Sequence, residues 1–531
     1  MLQEWVVTLH KKENLQSFYD DMETPGGNLF IPDREVGLTN RREVSRNTHY
    51  MLTSDEVEIL RADERVLDCE LTETILSSIS PSGYTIENGR FSKATLFTGS
   101  LNPTLNWGLL RNSEEVNRPD WGVDNVREIF TDLTTTASGR NVDVIIVDGY
   151  INPAHSEFLD GISTRVNQYN WFIVDPDVVP ASTYVYGPYA GDNSDHGTHV
   201  GGIAAGNVQG WARDAAIYNL NPYGGDANIA VNLLTMWDYM RKFHEIKPIN
   251  PLTGRRNPTI TNNSYASSVQ PGVGNKGNVT RVNYRGVDFN PGRNLTLSEL
   301  QARGFNAADL NPVIPYYFTS LAADIEDAIA EGILVVGAAG NEGWKTASLG
   351  DQDYNNTYEM TSDGVNTAYF LHRGSGAVQA YPSVINVGSL SNHTLEDKSY
   401  FSNCGSQVDI FAAGENIQSS TNPAYTRKSG TSMASPQVAG VLAIMLETDQ
   451  NMNQAGAMEW LLHNASTDQL FDSGTDIPFD RDSLQGAPNK LLRWENQRPV
   501  NGVTSPKVNF KIRPTAGITY PRRKLQKRGS S

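Results

Sequence analysis

The sequence predicts an α/β protein, a three-layer body with a mainly parallel central sheet, preceded by a small α+β domain. Three observations lead there. Between residues 104 and 494 strand and helix patterns alternate, which calls for a parallel sheet covered by helices on both faces. Val142–Val147 is apolar except for Asp143, as expected of a strand buried mostly on both faces. Residues 1–78 carry a separate, shorter alternation, and residues 79–103 are rich in Ser, Gly, Thr and Asn and read as a linker.

In the first domain, Trp5–Leu9 and Arg65–Leu71 read as strands, and Leu15–Met22 and Asp55–Asp63 as helices. In the body, strands are expected at Val142–Val147, Ala215–Leu220, Thr259–Asn262, Ile333–Gly337, Val384–Val387 and Val408–Phe411. Helices are expected at Asn228–Phe243, Leu321–Glu331 and Ser432–Glu447. Residues 267–316 and 344–380 are polar, rich in Gly, Asn or Asp, and read as long surface insertions. Residues 495–531 lose all periodicity and read as an extended basic tail.

Composition narrows the function. Of 531 residues, 38% are hydrophobic, enough for a sizeable core, and 19% are charged, too few for a disordered chain. The net charge is −17, yet the stretch from Glu495 to Ser531 alone carries +8. So acidic a body argues against nucleic acid as the main partner. No apolar run approaches the roughly 18 residues of a membrane span. The two cysteines, Cys69 and Cys404, form no disulfide framework and no zinc spacing. The first ten residues lack a basic n-region and a long apolar stretch, so a cytoplasmic location is expected.

Amide hydrolysis at neutral pH needs an activated nucleophile, a base, an orienter for that base and donors for the oxyanion. Three segments offer the first three. In Gly430-Thr431-Ser432-Met433-Ala434-Ser435-Pro436 a turn opens an apolar helix. A serine there sits among free N–H groups at the positive end of the helix dipole, although a simple helix cap is the commoner role. In Asp195-His196-Gly197-Thr198-His199 a histidine precedes a glycine-rich helix. His196 is the candidate base, because imidazole titrates near working pH. His199 reads as a packed histidine, since the His-Glu-x-x-His spacing of zinc peptidases is absent. Asp148 ends the strand Val142–Val147, where α/β sites form and where a buried carboxylate must be hydrogen-bonded.

Taken together, these segments resemble the subtilisin-like serine peptidases, the subtilases, with the triad order Asp148, His196, Ser432. Further matches run from Trp107-Gly108-Leu109-Leu110-Arg111 to Ala487-Pro488-Asn489-Lys490-Leu491-Leu492. The resemblance implies a serine endopeptidase with a subtilisin-like fold that works through an acyl-enzyme. It assigns Asn341, in Gly340-Asn341-Glu342-Gly343, as oxyanion donor beside the Ser432 N–H. It assigns Ser264, Tyr265 and Ala266, with Ala338, Ala339 and Gly340, as the two walls of the substrate pocket. Tyr223-Gly224-Gly225 is a third candidate wall. The first domain is similar to the propeptide found ahead of many subtilases, which implies a self-processed zymogen, an intramolecular inhibitor and a self-cleavage region within 71–103.

The implied partner is a polypeptide substrate. No cofactor or metal is required. Subtilases often carry structural calcium, but no ligand string in this sequence locates a site. Two departures from the family pattern stand out. Gly149-Tyr150 follows Asp148 where Ser or Thr is usual, and Ala266 stands where Gly is common. The first departure keeps an alternative open: a catalytically impaired structural or binding protein on the same fold, for example a virion component. The basic tail is either solvated or docked on an acidic partner.

Overall fold

The computed structural model describes residues 2–31, 38–71, 79–80, 106–113, 137–174, 195–222, 233–269, 279–305 and 314–494, apart from 43, 162, 363–364, 394–395, 423, 477–479 and 481. The basic tail, Tyr223-Gly224-Gly225 and most of the linker lie outside them.

The first domain is a four-stranded antiparallel sheet in the order β2-β3-β1-β4. Its strands are β1 (Gln3–Leu9), β2 (Leu38–Arg41), β3 (Asn47–Leu52) and β4 (Val66–Leu71). Helices α1 (Leu15–Glu23) and α2 (Ser54–Arg61) cover it, closing a core around Val7, Phe18, Tyr50 and Leu60. Thr53 and Glu56 form a reciprocal capping box that starts α2 where the sequence pattern starts. A short strand β5 (Ile79–Ser80) and helix α3 (Trp107–Arg111) follow.

The body is built on nine strands: β23 (Ser466–Thr467), β24 (Lys490–Leu491), β20 (Ile410–Ala413), β19 (Ile385–Leu390), β16 (Leu334–Ala338), β11 (Thr259–Asn263), β6 (Asp143–Val147), β10 (Ala216–Leu220) and β9 (Val166–Asn167), in that order. All neighbouring pairs are parallel except β23 with β24. The strand residues alternate between two cores. Val144 and Ile146 face one, with helices α4 (His196–Ala205), α8 (Thr431–Thr448) and α9 (Gln454–Asn464). Ile145 and Val147 face the other, with α5 (Thr235–Ile246) and α7 (Thr319–Ala330). This is the three-layer arrangement expected from the sequence. Asp143, the polar exception in β6, is held by Lys247 Nζ at 2.7 Å and Asn257 Nδ2 at 2.9 Å.

Among the described residues helix α5 begins at Thr235, and Asn228, where the sequence pattern starts, lies outside them. Leu233 and Leu234 are buried in the core, yet they lie in a turn, so their apolar spacing reports packing rather than helix. The larger correction concerns the insertions. They are not plain surface loops. The first supplies β12 (Ala266–Val269), β13 (Val279–Tyr284), β14 (Val287–Phe289), α6 (Leu297–Gln301) and β15 (Ile314–Pro315). The second supplies β17 (Thr357–Ser362) and β18 (Val365–Phe370). Together they make one antiparallel sheet, β14-β13-β17-β18. Val282, Phe305, Trp344 and Tyr358 are buried beneath it, with Phe305 in edge contact with both Trp344 and Tyr358. Their partners lie across the chain from one another, so no local pattern announces them.

The remaining pairs are the hairpins β7 (Leu159–Asp160) with β8 (Ser163–Thr164), and β21 (Ile417–Ser420) with β22 (Tyr425–Lys428). Both cysteines are buried and free.

Helices α4 and α8 pack closely because of glycine. A Cβ on Gly440 would lie 2.5 Å from Ala204 O and 2.8 Å from Trp211 Cβ. Gly440→Ala is therefore expected to cost about 1–3 kcal/mol by overpacking. Urea unfolding of the purified chain measures it, and an unchanged midpoint would contradict the close approach.

Candidate active site

The site gathers at the C-terminal ends of neighbouring parallel strands. Asp148 follows β6, Ser264 follows β11, and Asn341 lies in the loop after β16. Strand β6 is followed through the sheet by β10 on one side and β11 on the other, so this is a crevice where the strand order switches direction.

Asp148 is buried, and its carboxylate is satisfied. Oδ1 accepts from Gly149 N at 2.7 Å, and His196 Nδ1 lies 2.7 Å from Oδ1 and 2.9 Å from Oδ2. The loop after Asp148 is fixed from below by Asn219 on β10. Its Nδ2 donates to Gly149 O at 3.0 Å, and its Oδ1 accepts from Ile151 N at 3.2 Å. Helix α4 reaches this loop because Gly197 has no side chain: a Cβ there would sit 2.1 Å from Gly149 O. His196 is thus the first residue of a helix pressed onto the strand end that carries its carboxylate partner.

His199 is a packed histidine, as expected. It is buried, and Nε2 lies 3.0 Å from Ile417 O and 3.1 Å from Thr426 O, which ties α4 to the β21–β22 hairpin. Burial, with Lys428 and His196 nearby, pushes it down to about 3, so it stays neutral.

Ser432 is the second residue of α8 and is buried. Its Oγ lies 3.4 Å from Ser264 O. Pro436 sits inside this helix and has no N–H to offer the Ser432 carbonyl one turn back. Ser264 Oγ takes that role and donates to Ser432 O at 3.2 Å. Asn262 Nδ2 in turn donates to Ser264 Oγ at 2.9 Å, and Ser435 Oγ donates to Asn262 Oδ1 at 2.7 Å. Ser264 and Asn262 are thereby bonded to the helix that carries Ser432.

Asn341 is oriented by the same helix. Its Oδ1 accepts from Thr431 N at 2.8 Å and Thr431 Oγ1 at 2.9 Å. That leaves Nδ2 on the other side of the amide. Asn341 Nδ2 and Ser432 N both lie 3.6 Å from one point, the position a Cβ on Gly430 would take. Met433 Sδ lies at the same distance, so the Asn341 amide, the Ser432 N and the Met433 thioether meet around Gly430. The segment after β16 is held at Gly340, whose N donates to Thr431 Oγ1 at 3.1 Å, and at Ala339, whose O accepts from Asn403 Nδ2 at 2.8 Å. Gly340 has φ +105, and a Cβ there would strike Asn403 Nδ2 at 2.2 Å, so the position requires glycine. Glu342 also accepts from Asn403, and burial raises its carboxyl above the usual range.

Tyr265 and Ala266 are buried. The ring of Tyr265 belongs to the core beneath the sheet. Ala266 opens β12, which is paired on one edge with β15 and on the other with β5, Ala266 opposite Ser80. Each of the ten site residues named from the sequence thus lies on a strand end, helix start or loop around this crevice. Sequence reasoning missed Asn219 and Asn403. Asn219 could have been found as the polar residue in the inner half of the strand Ala216–Leu220. Asn403 stands in Phe401-Ser402-Asn403-Cys404-Gly405, a stretch that also resembles the family, but its contacts with Ala339 and Glu342 come from tertiary packing.

Comparison with known proteins agrees with this architecture. The model of the Subtilase family matches residues 139–489, well over half of the chain. "Subtilisin-like protease 3" of Arthroderma benhamiae is 26% identical over 395 residues, covering 71% of this chain and 73% of its own length. "Major intracellular serine protease" of Bacillus subtilis is 36% identical over 131 residues, covering 24% of this chain and 33% of its own. Among solved structures, a cold adapted subtilisin-like serine proteinase aligns with a TM-score of 0.43 and 20% identity, over 73% of this chain and 97% of that one. Fervidolysin from Fervidobacterium pennivorans aligns with a TM-score of 0.47 and 15% identity, over 93% of this chain and 60% of that one. The chain belongs to the subtilase family and is a serine endopeptidase of that family.

Proposed function

We propose that peptide bonds are cut here through an acyl-enzyme on Ser432, with His196 as general base and Asp148 as its orienter. The observation that carries the reading is the Asp148–His196 contact of 2.7 Å at the N-terminus of α4, beside the helix that bears Ser432. His196 takes the Ser432 proton as Oγ attacks the substrate carbonyl. Asp148 holds the imidazole tautomer and stabilises the imidazolium that forms. Asn341 Nδ2 and Ser432 N receive the oxyanion. His196 then returns the proton to the leaving amine, and water repeats the sequence to free the acid.

Ser432→Ala should abolish casein hydrolysis and labelling by a serine-directed fluorophosphonate. Retention of both would sink the assignment. Asn341→Ala should lower kcat by about 10²–10³, the size of the effect when subtilisin itself loses its oxyanion asparagine. Little change in KM is expected, since the donors act on the transition state.

The same proposal makes residues 1–78 an intramolecular inhibitor. Their contacts with the body support it. Arg42 is buried and donates to Asp238 Oδ2 at 2.7 Å, Asp324 Oδ2 at 2.8 Å and Leu234 O at 2.9 Å. Asn47 also donates to Asp324, at 2.9 Å. Glu70 accepts from Thr319 N and Ser320 N, both at 2.8 Å, at the positive end of α7. Strand β5 occupies the free edge of β12, as an added substrate strand would. Its antiparallel register pairs Ser80 with Ala266 and Ile79 with Ser267. Extended two residues along the sequence, the same register would bring position 82 opposite Ser264, whose carbonyl lies 3.4 Å from Ser432 Oγ. The bond proposed for self-cleavage is Ser82–Gly83.

N-terminal sequencing of the body purified from active protein should begin at Gly83, and Ser432→Ala should leave the chain intact. A start away from residues 81–85 would rule out the extended register. Arg42→Ala strands the buried Asp324 carboxylate, a loss of about 3–5 kcal/mol from the contact. Activity should then appear sooner after refolding than in the parent, as a time course with a peptide substrate would record.

Among the described residues no cluster of three or more His, Cys, Asp or Glu side chains is placed to hold a metal ion. Oxygens that converge beyond the end of α4 are taken by a side-chain cation: Arg165 donates to Ala205 O at 2.7 Å, Asn207 Oδ1 at 2.9 Å, and Glu157 O and Ala215 O at 3.0 Å.

A further inference from the structure

Strand β12 does not stop at Ala266. It continues through Ser267 and Ser268 to Val269, inside the first insertion. Its backbone is divided between two neighbours. Tyr316 N donates to Ser267 O at 2.9 Å, and the register against β15 pairs Ser268 with Pro315 and Val269 with Ile314. In an antiparallel pair, hydrogen-bonded positions alternate with non-hydrogen-bonded ones. Ser267 and Val269 therefore turn their N–H and C=O groups to β15. Pro315 falls at a non-hydrogen-bonded position, where its missing N–H costs the ladder nothing. Ser268, opposite that proline, turns its N–H and C=O to the other edge of β12.

That other edge is the one on which β5 lies, with Ser80 opposite Ala266 and Ile79 opposite Ser267. Since Ser267 bonds to β15, Ala266 is the residue whose backbone faces β5. Groups aimed at this edge thus recur at Ala266 and again at Ser268, which is partly exposed. A strand in the β5 register, with its scissile bond at Ser432, sets its first residue before that bond opposite Ser264. Its third residue then stands opposite Ala266 and its fifth opposite Ser268. The extension is backed from behind. Ile314 is buried, and the Tyr316 ring packs edge-on against Tyr369 of β18, with 5.0 Å between ring centres. The sheet built by the two insertions therefore braces β15, and β15 keeps β12 extended past Ala266.

We propose that the backbone of Ser268 is a further substrate subsite, which pairs with the fifth residue before the cut bond. The enzyme then selects stretches of polypeptide that are extended over at least five residues on that side. This rests on the acyl-enzyme reading and on the β5 register above. Recognition here is by main chain: one N–H and one C=O of the substrate close a pair with Ser268, as in any antiparallel ladder. The fourth and sixth residues of the substrate turn their backbone groups away from β12.

The test uses the active enzyme and chromogenic alanine-rich peptides with three, four, five or six residues before the cut bond. Adding the fifth residue should raise kcat/KM by about 3–10-fold, the size of a net hydrogen bond or two, and the sixth should add much less. In the six-residue peptide, N-methylation of the fifth residue should cancel that gain, whereas N-methylation of the fourth or the sixth should not. Ser268→Pro removes an N–H that the pairing with β15 does not use, and should bring the ratio of five- to four-residue peptides close to one. If S268P does not fold, the N-methyl series on the parent enzyme decides alone. Equal kcat/KM for four- and five-residue peptides would overturn the proposal, as would equal losses from N-methylation at the fourth, fifth and sixth residues. N-methylation of the third residue without loss would instead remove the β5 register, and hydrolysis that survives Ser432→Ala would remove the acyl-enzyme reading. Both differ from a silent fifth position in an enzyme that needs Ser432 and the third amide.

Discussion

A carboxylate buried at the end of a sheet strand is the constraint on which the site depends. Asp148 lies beyond a strand whose five residues are all buried, and an ion there is tolerated only when fully hydrogen-bonded. The fold meets that demand with an imidazole on one side and the next backbone N–H on the other. The imidazole in turn must arrive at the start of a helix, and that helix must come within backbone contact of the strand end. Gly197 supplies the approach on this side, and Gly440 brings α8 and Ser432 against the same helix. His196 and Ser432 are thus carried by two helices packed on each other, the first of which meets the buried carboxylate.

The parts of this arrangement differ in how legible they were. Asp148, His196 and Ser432 sit in segments whose local chemistry is visible in sequence: a polar residue ending an apolar strand, a histidine before glycines, a serine opening an apolar helix; Asn341 was named only through the family resemblance. The core strands were legible for the same reason, since burial on both faces leaves continuous apolar runs. The sheet built by the two insertions was not. Val279 and Val282 are the buried residues of β13, a spacing of three that looks helical rather than alternating. Their partner strand β17 comes from a second insertion, beyond α7 and β16. Pairings with so long an intervening chain leave no local trace.

The insertions also bear on the pocket. The first continues directly from the wall residue Ala266 into β12, and Tyr316 N donates to Ser267 O at 2.9 Å. The second ends in a short 3₁₀ helix, Gly376–Ala380, at whose first residue a Cβ would lie 2.4 Å from Tyr265 O. Gln379 Oε1 accepts from Phe318 N and ties the two insertions together again at the start of α7. Both therefore reach the backbone of the wall, while the Tyr265 ring anchors it from within the core.

Gly149 shows how such bracing substitutes for a single side chain. A hydroxyl at that position would offer one hydrogen bond to the Asp148 carboxylate. Its absence leaves the carboxylate with the Gly149 N–H and the imidazole, and leaves the loop itself to be restrained by other means. Asn219 does this from the neighbouring strand by gripping Gly149 O and Ile151 N at once. Thr198 does it from α4, donating to Tyr150 O and accepting from Asn152 N. The loop is therefore held on both flanks by groups that never touch the carboxylate. Orientation of Asp148 comes from fixing the backbone that carries it, so the departure from the family pattern leaves the geometry of the couple intact.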